Sequence, residues 1–513
     1  MAQTFMLDRD TNNDGRADGV YASLHRDMLV SVFVPDPPPE GTDGHLPVIF
    51  YSHGATVDIT STGADRNPQN LANQGYIVIA PQHQDIGAIL TTSQFHRNRP
   101  DSTTERVEDF NDLGDAAIVD AIMAQFNAQN GGAIVWSADL TTPVIAGHSQ
   151  GAFTAQLLIG VDSARPEFAN LEANPFFEAA ILFSPQGVPT AAQEDPSLLL
   201  DPLFTPFGAT RSQIAAFYRR DLDDNGNDGD YWTGLYATTN ASGQVIDSSW
   251  DNVTVPVLSI TGTVDAGDAG QNYQHRRDGF EYGDQDGRHL VVVRGAGHSE
   301  LGGFYASTDG GVHETIASVA GDFLDAYVHG NATALAALND VQGYAAAYPL
   351  LAEVFEASGA PTGYLVGTTG ADALEGAQTS DLIVGGAGND TMNGYDANDV
   401  LIGGAGRDIM TGGNGDDVVV FSSVSDSGTG SSTRDQIADF DDFGNDILDL
   451  SAFDNLVYVG TEAFTAANQV RVIQSGSHVL IQINTDADSS AESVIQLTNT
   501  TLSQIDSGDF IFG

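Results

Sequence analysis

The pentapeptide Gly147-His148-Ser149-Gln150-Gly151 follows an apolar run, Pro143 to Ala146, and precedes the helix-forming stretch AFTAQLLIG. G-x-S-x-G alone is weak in a chain rich in glycine and serine, but a strand before it and a helix after it are the context of a nucleophile elbow. Such a turn holds the Ser149 hydroxyl above the strand end, at a helix N-terminus. There the helix dipole and the amide of Gln150 favour an anionic intermediate. A serine nucleophile needs a base, and the base an orienting acid. With the chain order serine, acid, histidine, His298 in VVVRGAGHSELGG is the expected base, because it follows a strong strand in a glycine-bounded loop. The acid is expected after the preceding strand, in VPVLSITGTVDAGDAG. Asp265 is preferred there over Asp268 because it stands closer to the strand end. A second oxyanion donor is expected from the loop after VIFYSHG, where Gly54 allows close approach and the amide of Ala55 follows. His53 reads as structural. His83 and Asp85 are placed at a cleft rim, and His275, His289, His313 and His329 read as surface histidines.

A second chemistry lies downstream. Residues 367–420 divide without a gap into six nonapeptides: GTTGADALE, GAQTSDLIV, GGAGNDTMN, GYDANDVLI, GGAGRDIMT and GGNGDDVVV. The sixth position is always aspartate: Asp372, Asp381, Asp390, Asp399, Asp408 and Asp417. The eighth is always apolar: Leu374, Ile383, Met392, Leu401, Met410 and Val419. Glycines let the chain turn tightly and expose carbonyls. The aspartates add hard anionic oxygens suited to Ca²⁺, and the apolar residues supply a thin core. Without calcium the aligned carboxylates repel, so folding of this segment is expected to depend on the ion. The segment DTNNDGRAD adds a candidate calcium loop through Asp10, Asn12, Asp14 and Asp18, with Gly15 at the turn. A weaker one comprises Asp221, Asp223, Asn225 and Gly226.

The elements that must position these residues alternate. LPVIFYSHG, YIVIAP, TPVIAGH, FEAAILFSP, VPVLSITG and HLVVVRG read as strands. GDAAIVDAIMAQFNAQN reads as a helix burying Val119, Ile122, Met123 and Phe126. NPQNLANQG reads as another, capped by Asn67 and stopped at Gly75, and VHETIASVAGDFLDAYVHG as a third, burying Ile316, Val319 and Phe323. This alternation predicts an α/β domain with a parallel sheet covered on both faces. The expected boundaries are a catalytic domain over 1–355 with a cap insertion at about 186–254, a linker over 356–366, an all-β calcium-binding parallel roll over 367–421, and a C-terminal β region over 422–513. Trp232 and Trp250 in the insertion offer aromatic surface for a substrate. VRVIQSGSHVLIQI reads as a hairpin about Gly476.

Composition limits the partners. The chain has 513 residues and a formal charge of −52, from 70 acidic and 18 basic residues, and every basic residue is arginine. Such a surface repels nucleic acid and anionic membrane. No segment has the apolar length of a membrane span, so no stable membrane insertion is expected. Without cysteine there is neither disulfide nor thiolate chemistry. The N-terminus shows no charged region followed by an apolar stretch, so no signal peptide is expected.

Two resemblances follow from these motifs. YSHG, LANQGYIVIAPQHQD, GHSQG, TGTVDAGD and GAGHSE, over roughly residues 28–330, resemble an α/β-hydrolase of the dienelactone-hydrolase and platelet-activating-factor-acetylhydrolase-like esterases. The resemblance implies ester hydrolysis through an acyl-serine; lipase, polyester depolymerase and peptidase are alternatives on the same fold. The dienelactone hydrolases use cysteine where this chain has Ser149, and the acetylhydrolases often carry the acid one strand earlier, so neither substrate is implied. The nonapeptides resemble the repeats-in-toxin (RTX) family, and DQIADFDDFGNDILDLSAFD resembles the segment after the repeats in secreted RTX proteases. That resemblance implies structural Ca²⁺, export through type I secretion machinery by an uncleaved C-terminal tail, and an extracellular location. A non-catalytic RTX adhesin is the remaining alternative.

Overall fold

The computed structural model describes residues 2–7, 24, 26–54, 66–83, 99–163, 168, 173–186, 235, 237–239, 245–265, 276–277, 280, 287–303, 311–357, 362–440, 446–453 and 455–512. They form two compact units, Met1–Asp340 and Val341–Gly513.

The first unit is built on β1 (Ala2–Leu7), β2 (Met28–Phe33), β3 (His45–Ser52), β4 (Ile77–Gln82), β5 (Ser137–His148), β6 (Ala179–Phe183), β9 (Val257–Gly262) and β10 (Arg288–Val293). A separate hairpin joins β7 (Ala237–Thr239) to β8 (Val245–Ser248). The sheet order is β1-β2-β4-β3-β5-β6-β9-β10. From β4 onward every pair is parallel. Side chains of β6, β9 and β10 are buried along their whole length, as expected of strands covered on both faces. The β1–β2–β4 edge is antiparallel, a feature the alternating pattern did not predict.

The helices are α1 (Asn67–Asn73), α2 (Arg99–Leu113), α3 (Ala116–Asn130), α4 (Gln150–Leu158), α5 (His298–Leu301) and α6 (Val312–Tyr327). In α3 the Asp115 carboxylate caps the amide of Ala117, Gly131 ends the helix at φ 59°, and Val119, Ile122, Met123 and Phe126 are buried. In α6, Ile316, Val319 and Phe323 are buried. Helix α1 differs from expectation: Arg66 occupies the cap, and the buried Asn67 is the first helical residue. Its amide is engaged elsewhere, donating to Leu301 O at 2.7 Å. Most of the expected cap at 186–254 lies outside the described residues, as does Trp232. Trp250 is not a cleft aromatic; it is 2% exposed and packs in the core with Val253, Leu158 and Val161.

The second unit opens earlier than expected. Residues 351–357 and 362–366 are β11 (Leu351–Ala357) and β12 (Thr362–Val366), an antiparallel pair, so the segment expected to end one domain and link to the next instead begins this sheet. Two ladders of parallel strands follow. One runs β12, β14 (Ser380–Gly388), β16 (Val400–Gly406), β18 (Val418–Val420), β20 (Ile447–Leu450), β25 (Phe510–Phe512). The other runs β13 (Ala373–Glu375), β15 (Thr391–Asp396), β17 (Ile409–Asn414), β19 (Gln436–Ile437), then β24 (Ser493–Leu497). Strands one repeat apart therefore fall on opposite ladders, and equivalent residues two repeats apart pair: Leu382 with Val400, Met392 with Met410. All six eighth-position residues are buried between the ladders. Residues Gln469–Ser475 (β22) and His478–Asn484 (β23) form the expected hairpin, with Gly476 at φ 65°. Among the described residues no helix is long and apolar enough to cross a membrane.

Candidate active site and aspartate ladder

Ser149 stands between β5 and α4 at φ 56°, ψ −118°, a conformation strained for any residue with a side chain. Its amide donates to Phe183 O (3.1 Å), and its carbonyl accepts from the Phe153 amide in α4 (3.1 Å). The flanking glycines are sterically required. A Cβ on Gly147 would lie 2.3 Å from Gly151 O, and one on Gly151 would lie 1.9 Å from Ser52 O. Gln150 is the first residue of α4. Ala55, the other expected oxyanion donor, lies outside the described residues.

The structure brings His298 and Asp265 together. Asp265 follows β9, and its Oδ1 lies 3.0 Å from His298 Nδ1. A carboxylate accepts, so Nδ1 donates and Nε2 is left to take a proton. Asp265 is 1% exposed, and its Oδ2 accepts from Thr261 Oγ1 at 3.0 Å and faces Arg276 Nε at 3.3 Å. Burial by itself would raise this carboxyl, but Arg276, the His298 hydrogen bond and Ser184 together hold it well below the usual carboxylate range. Asp268 lies outside the described residues.

Several residues at this site were not read from sequence. Ser184, at φ 53°, places Oγ 2.9 Å from His298 Nδ1. Arg276 is fully buried and also donates to Pro185 O at 2.7 Å. Its signal was indirect: a buried Asp265 requires a cation or donors. His148, beside the serine, donates from Nε2 to His298 O at 2.9 Å.

Other histidines fall differently from expectation. His83 is not at a rim; it is 2% exposed, with Nδ1 2.9 Å from Asp109 Oδ2 and Nε2 3.2 Å from Ser52 Oγ. Arg26 holds the same Asp109. Asp85 lies outside the described residues. His53 is buried, Nδ1 donating to Gly54 O at 2.7 Å while Nε2 accepts from the His83 amide at 3.1 Å. His289 is not a surface residue either: it lies in β10, 3% exposed, with Nε2 2.8 Å from Tyr327 Oη. His313 and His329 pair with Glu314 and Asp325 at the surface, and His275 lies outside the described residues.

In the second unit the aspartates form a regular ladder. Oδ1 of Asp390, Asp399, Asp408 and Asp417 each accepts, at 2.8 Å, the amide of the aspartate two repeats earlier. The ladder outruns the repeats: Asp435 accepts from the Asp408 amide at 2.8 Å and Asp446 from the Asp417 amide at 3.0 Å. Sequence reading missed both because extra residues interrupt the nine-residue period. Oδ2 of Asp390, Asp399, Asp408, Asp417 and Asp435 is buried and, among the described residues, has no hydrogen-bond partner. Burial, reinforced by neighbouring carboxylates, pushes Asp399 up to about 9 and Asp435 up to about 8. Asp372 and Asp381 differ, because their Oδ2 atoms accept the amides of Thr368 and Ala377 at 2.6 Å. First-position glycines lie against these carboxylates; a Cβ on Gly394 would sit 2.0 Å from Asp399 Oδ2. Five buried, unpartnered carboxylate oxygens in a glycine-rich wall suit a hard dication that takes oxygen ligands, so the residues fit Ca²⁺. Asp10, Asn12, Asp14 and Asp18, and the loop from Asp221 to Gly226, lie outside the described residues.

Strand order, parallel pairing and elbow make the first unit an α/β-hydrolase fold, and the coiled parallel ladders make the second an RTX-type β-roll. Residues 348–512 match the family described as Peptidase M10 serralysin C terminal, so this segment is similar to a serralysin-type RTX domain. Among solved structures, the AlgE6R2 subunit of the Azotobacter vinelandii mannuronan C5-epimerase is similar at 30% identity, over 29% of this chain and 91% of that one, with a TM-score of 0.23. A thermophilic esterase from the planctomycete Thermogutta terrifontis is similar at 16% identity, over 58% of this chain and 89% of that one, with a TM-score of 0.30. The acylaminoacyl peptidase of Pyrococcus horikoshii is similar at 14% identity, over 60% of this chain and 40% of that one, with a TM-score of 0.35. No curated protein matches the sequence.

Proposed function

We propose that this chain is a secreted serine hydrolase of carboxylic esters whose C-terminal domain folds around calcium. The observation that carries the reading is the His298–Asp265 hydrogen bond, made by a histidine whose ring lies against the residue preceding the elbow serine. In this reading His298 Nε2 takes the Ser149 Oγ proton as Oγ attacks the ester carbonyl. The amides of Gln150 and Ala55 hold the oxyanion. When the tetrahedral intermediate collapses, the carbonyl–alkoxy bond breaks and His298 returns the proton to the leaving alcohol. Water, deprotonated by the same nitrogen, then releases the acid and restores Ser149. The buried Asp265, kept ionised by Arg276, stabilises the imidazolium formed twice per cycle. Asp390, Asp399, Asp408, Asp417 and Asp435 would hold Ca²⁺, which supplies structural charge balance and no chemistry at the serine. The type I export route and extracellular location are supported by the serralysin-type domain.

The test is hydrolysis of short- and long-chain p-nitrophenyl esters by purified full-length protein, beside Ser149→Ala. Hydrolysis abolished by the substitution is expected, and chain-length preference separates esterase from lipase. Hydrolysis that survives in Ser149→Ala would overturn the assignment, and a folded wild type inactive on every ester would point to a peptidase or a binding protein.

A further inference from the structure

We propose that His148 is a positioning residue: by bonding the His298 carbonyl it sets the backbone of the turn that carries the base. The inference rests on the serine-hydrolase reading. His148 is 4% exposed, and its Nε2 lies 2.9 Å from His298 O. A carbonyl only accepts, so Nε2 carries the proton and Nδ1 is a bare acceptor. That Nδ1 is buried and, among the described residues, has no hydrogen-bond partner. Leucine in this place would avoid an unsatisfied buried acceptor, so what the histidine adds is the bond it donates to His298.

The ring also sets a spacing. Its centroid is 4.7 Å from that of His298. Two glycines make room for it: a Cβ on Gly54 would lie 2.9 Å from Nδ1, and one on Gly302 would lie 2.6 Å from Cε1. One imidazole thus touches Gly54 just past the end of β3, the carbonyl of His298, and Gly302 at the end of α5. Asp265 holds the His298 side chain, while His148 Nε2 joins the Gly302 amide (3.1 Å) on its carbonyl. Asn67 Nδ2, 2.7 Å from Leu301 O, fixes the far end of the same turn. Burial, then the neighbouring His298, holds His148 well below the usual histidine range. It therefore stays neutral and adds no competing charge when His298 becomes an imidazolium.

The test compares full-length, calcium-loaded wild type with His148→Leu, His148→Asn and His148→Gln. Active sites are counted by the stoichiometric release of p-nitrophenolate from diethyl p-nitrophenyl phosphate, and kcat on a p-nitrophenyl ester is expressed per titrated site. Glutamine places a donor amide near the Nε2 position; asparagine is too short, and leucine has no donor. Leu and Asn are expected to lose about tenfold in kcat per site with KM nearly unchanged, and Gln to recover most of it. A role in packing alone would lower melting temperature and the number of titratable sites without changing turnover per site. Wild-type turnover per site in Leu and Asn, or Gln no better than Asn, would overturn the inference. If Leu fails to fold, the Gln–Asn comparison decides. A wild type that does not titrate would defeat the serine-hydrolase reading itself, and this inference with it.

Discussion

At the scale of single residues, the proposed mechanism makes the buried ion pair of Asp265 and Arg276 a link between catalysis and stability. Asp265→Asn leaves one acceptor oxygen to serve His298 on one side and Thr261 and Arg276 on the other, and leaves Arg276 without its counter-charge. We expect kcat to fall by about a thousandfold or more, with a lower melting temperature, both read on the purified variant. A second buried group gives a pH dependence. Burial lowers His289 from 6.5 to about 4. On acidification the unfolded chain takes up this proton first, so stability is full above about pH 6.5 and declines toward pH 4, by about 3 kcal/mol in all. His289→Gln should flatten that part of the melting-temperature profile; an unchanged slope would show that other groups set it. The elbow turn at Ser149 and the pairing of His298 with Asp265 were legible because each residue sits just past a strand end in a fixed chain order. Ser184, Arg276 and His148 were not, because their roles come from contacts between distant segments: Ser184 to His298, Arg276 to Asp265, His148 to His298.

At the scale of elements, the repeats were the easiest part of the chain to read, since a strict period of nine fixes which residues face the core. The β11–β12 hairpin was not legible, because VFEASGAPTG has the composition of a linker and only pairing reveals the strands. The coils themselves are unequal. Positions two and four of a repeat take positive φ in Gly386, Gly388, Gly404 and Gly406, but the fourth repeat puts Tyr395 (φ 78°) and Ala397 (φ 76°) there. Ala397→Gly should therefore stabilise the calcium-loaded domain by about 1 kcal/mol, measured by thermal unfolding. The carboxylates are also unequal. Asp399→Asn, which alters an unpartnered buried oxygen, should weaken calcium binding more than Asp372→Asn, whose oxygen is already bonded to the Thr368 amide. Calorimetric titration of both variants checks the order, and equal affinities would contradict it.

For the whole molecule, a charge of −52 and a ladder of buried carboxylates lead us to expect folding linked to calcium. Refolding from denaturant with calcium should restore β-structure in residues 341–513, whereas refolding with chelator should leave this region open to protease, as mapped by mass spectrometry of the fragments. The α/β-hydrolase and RTX folds were both readable from patterning. The cap expected at 186–254 mostly lies outside the described residues. The central claim is that Ser149 is a nucleophile activated by His298. Mass spectrometry of the full-length, calcium-loaded protein after treatment with a fluorophosphonate tests this most directly. The account predicts one adduct, on the peptide containing Ser149, formed far more slowly in His298→Ala. An unmodified protein, or modification of a different serine, would contradict it.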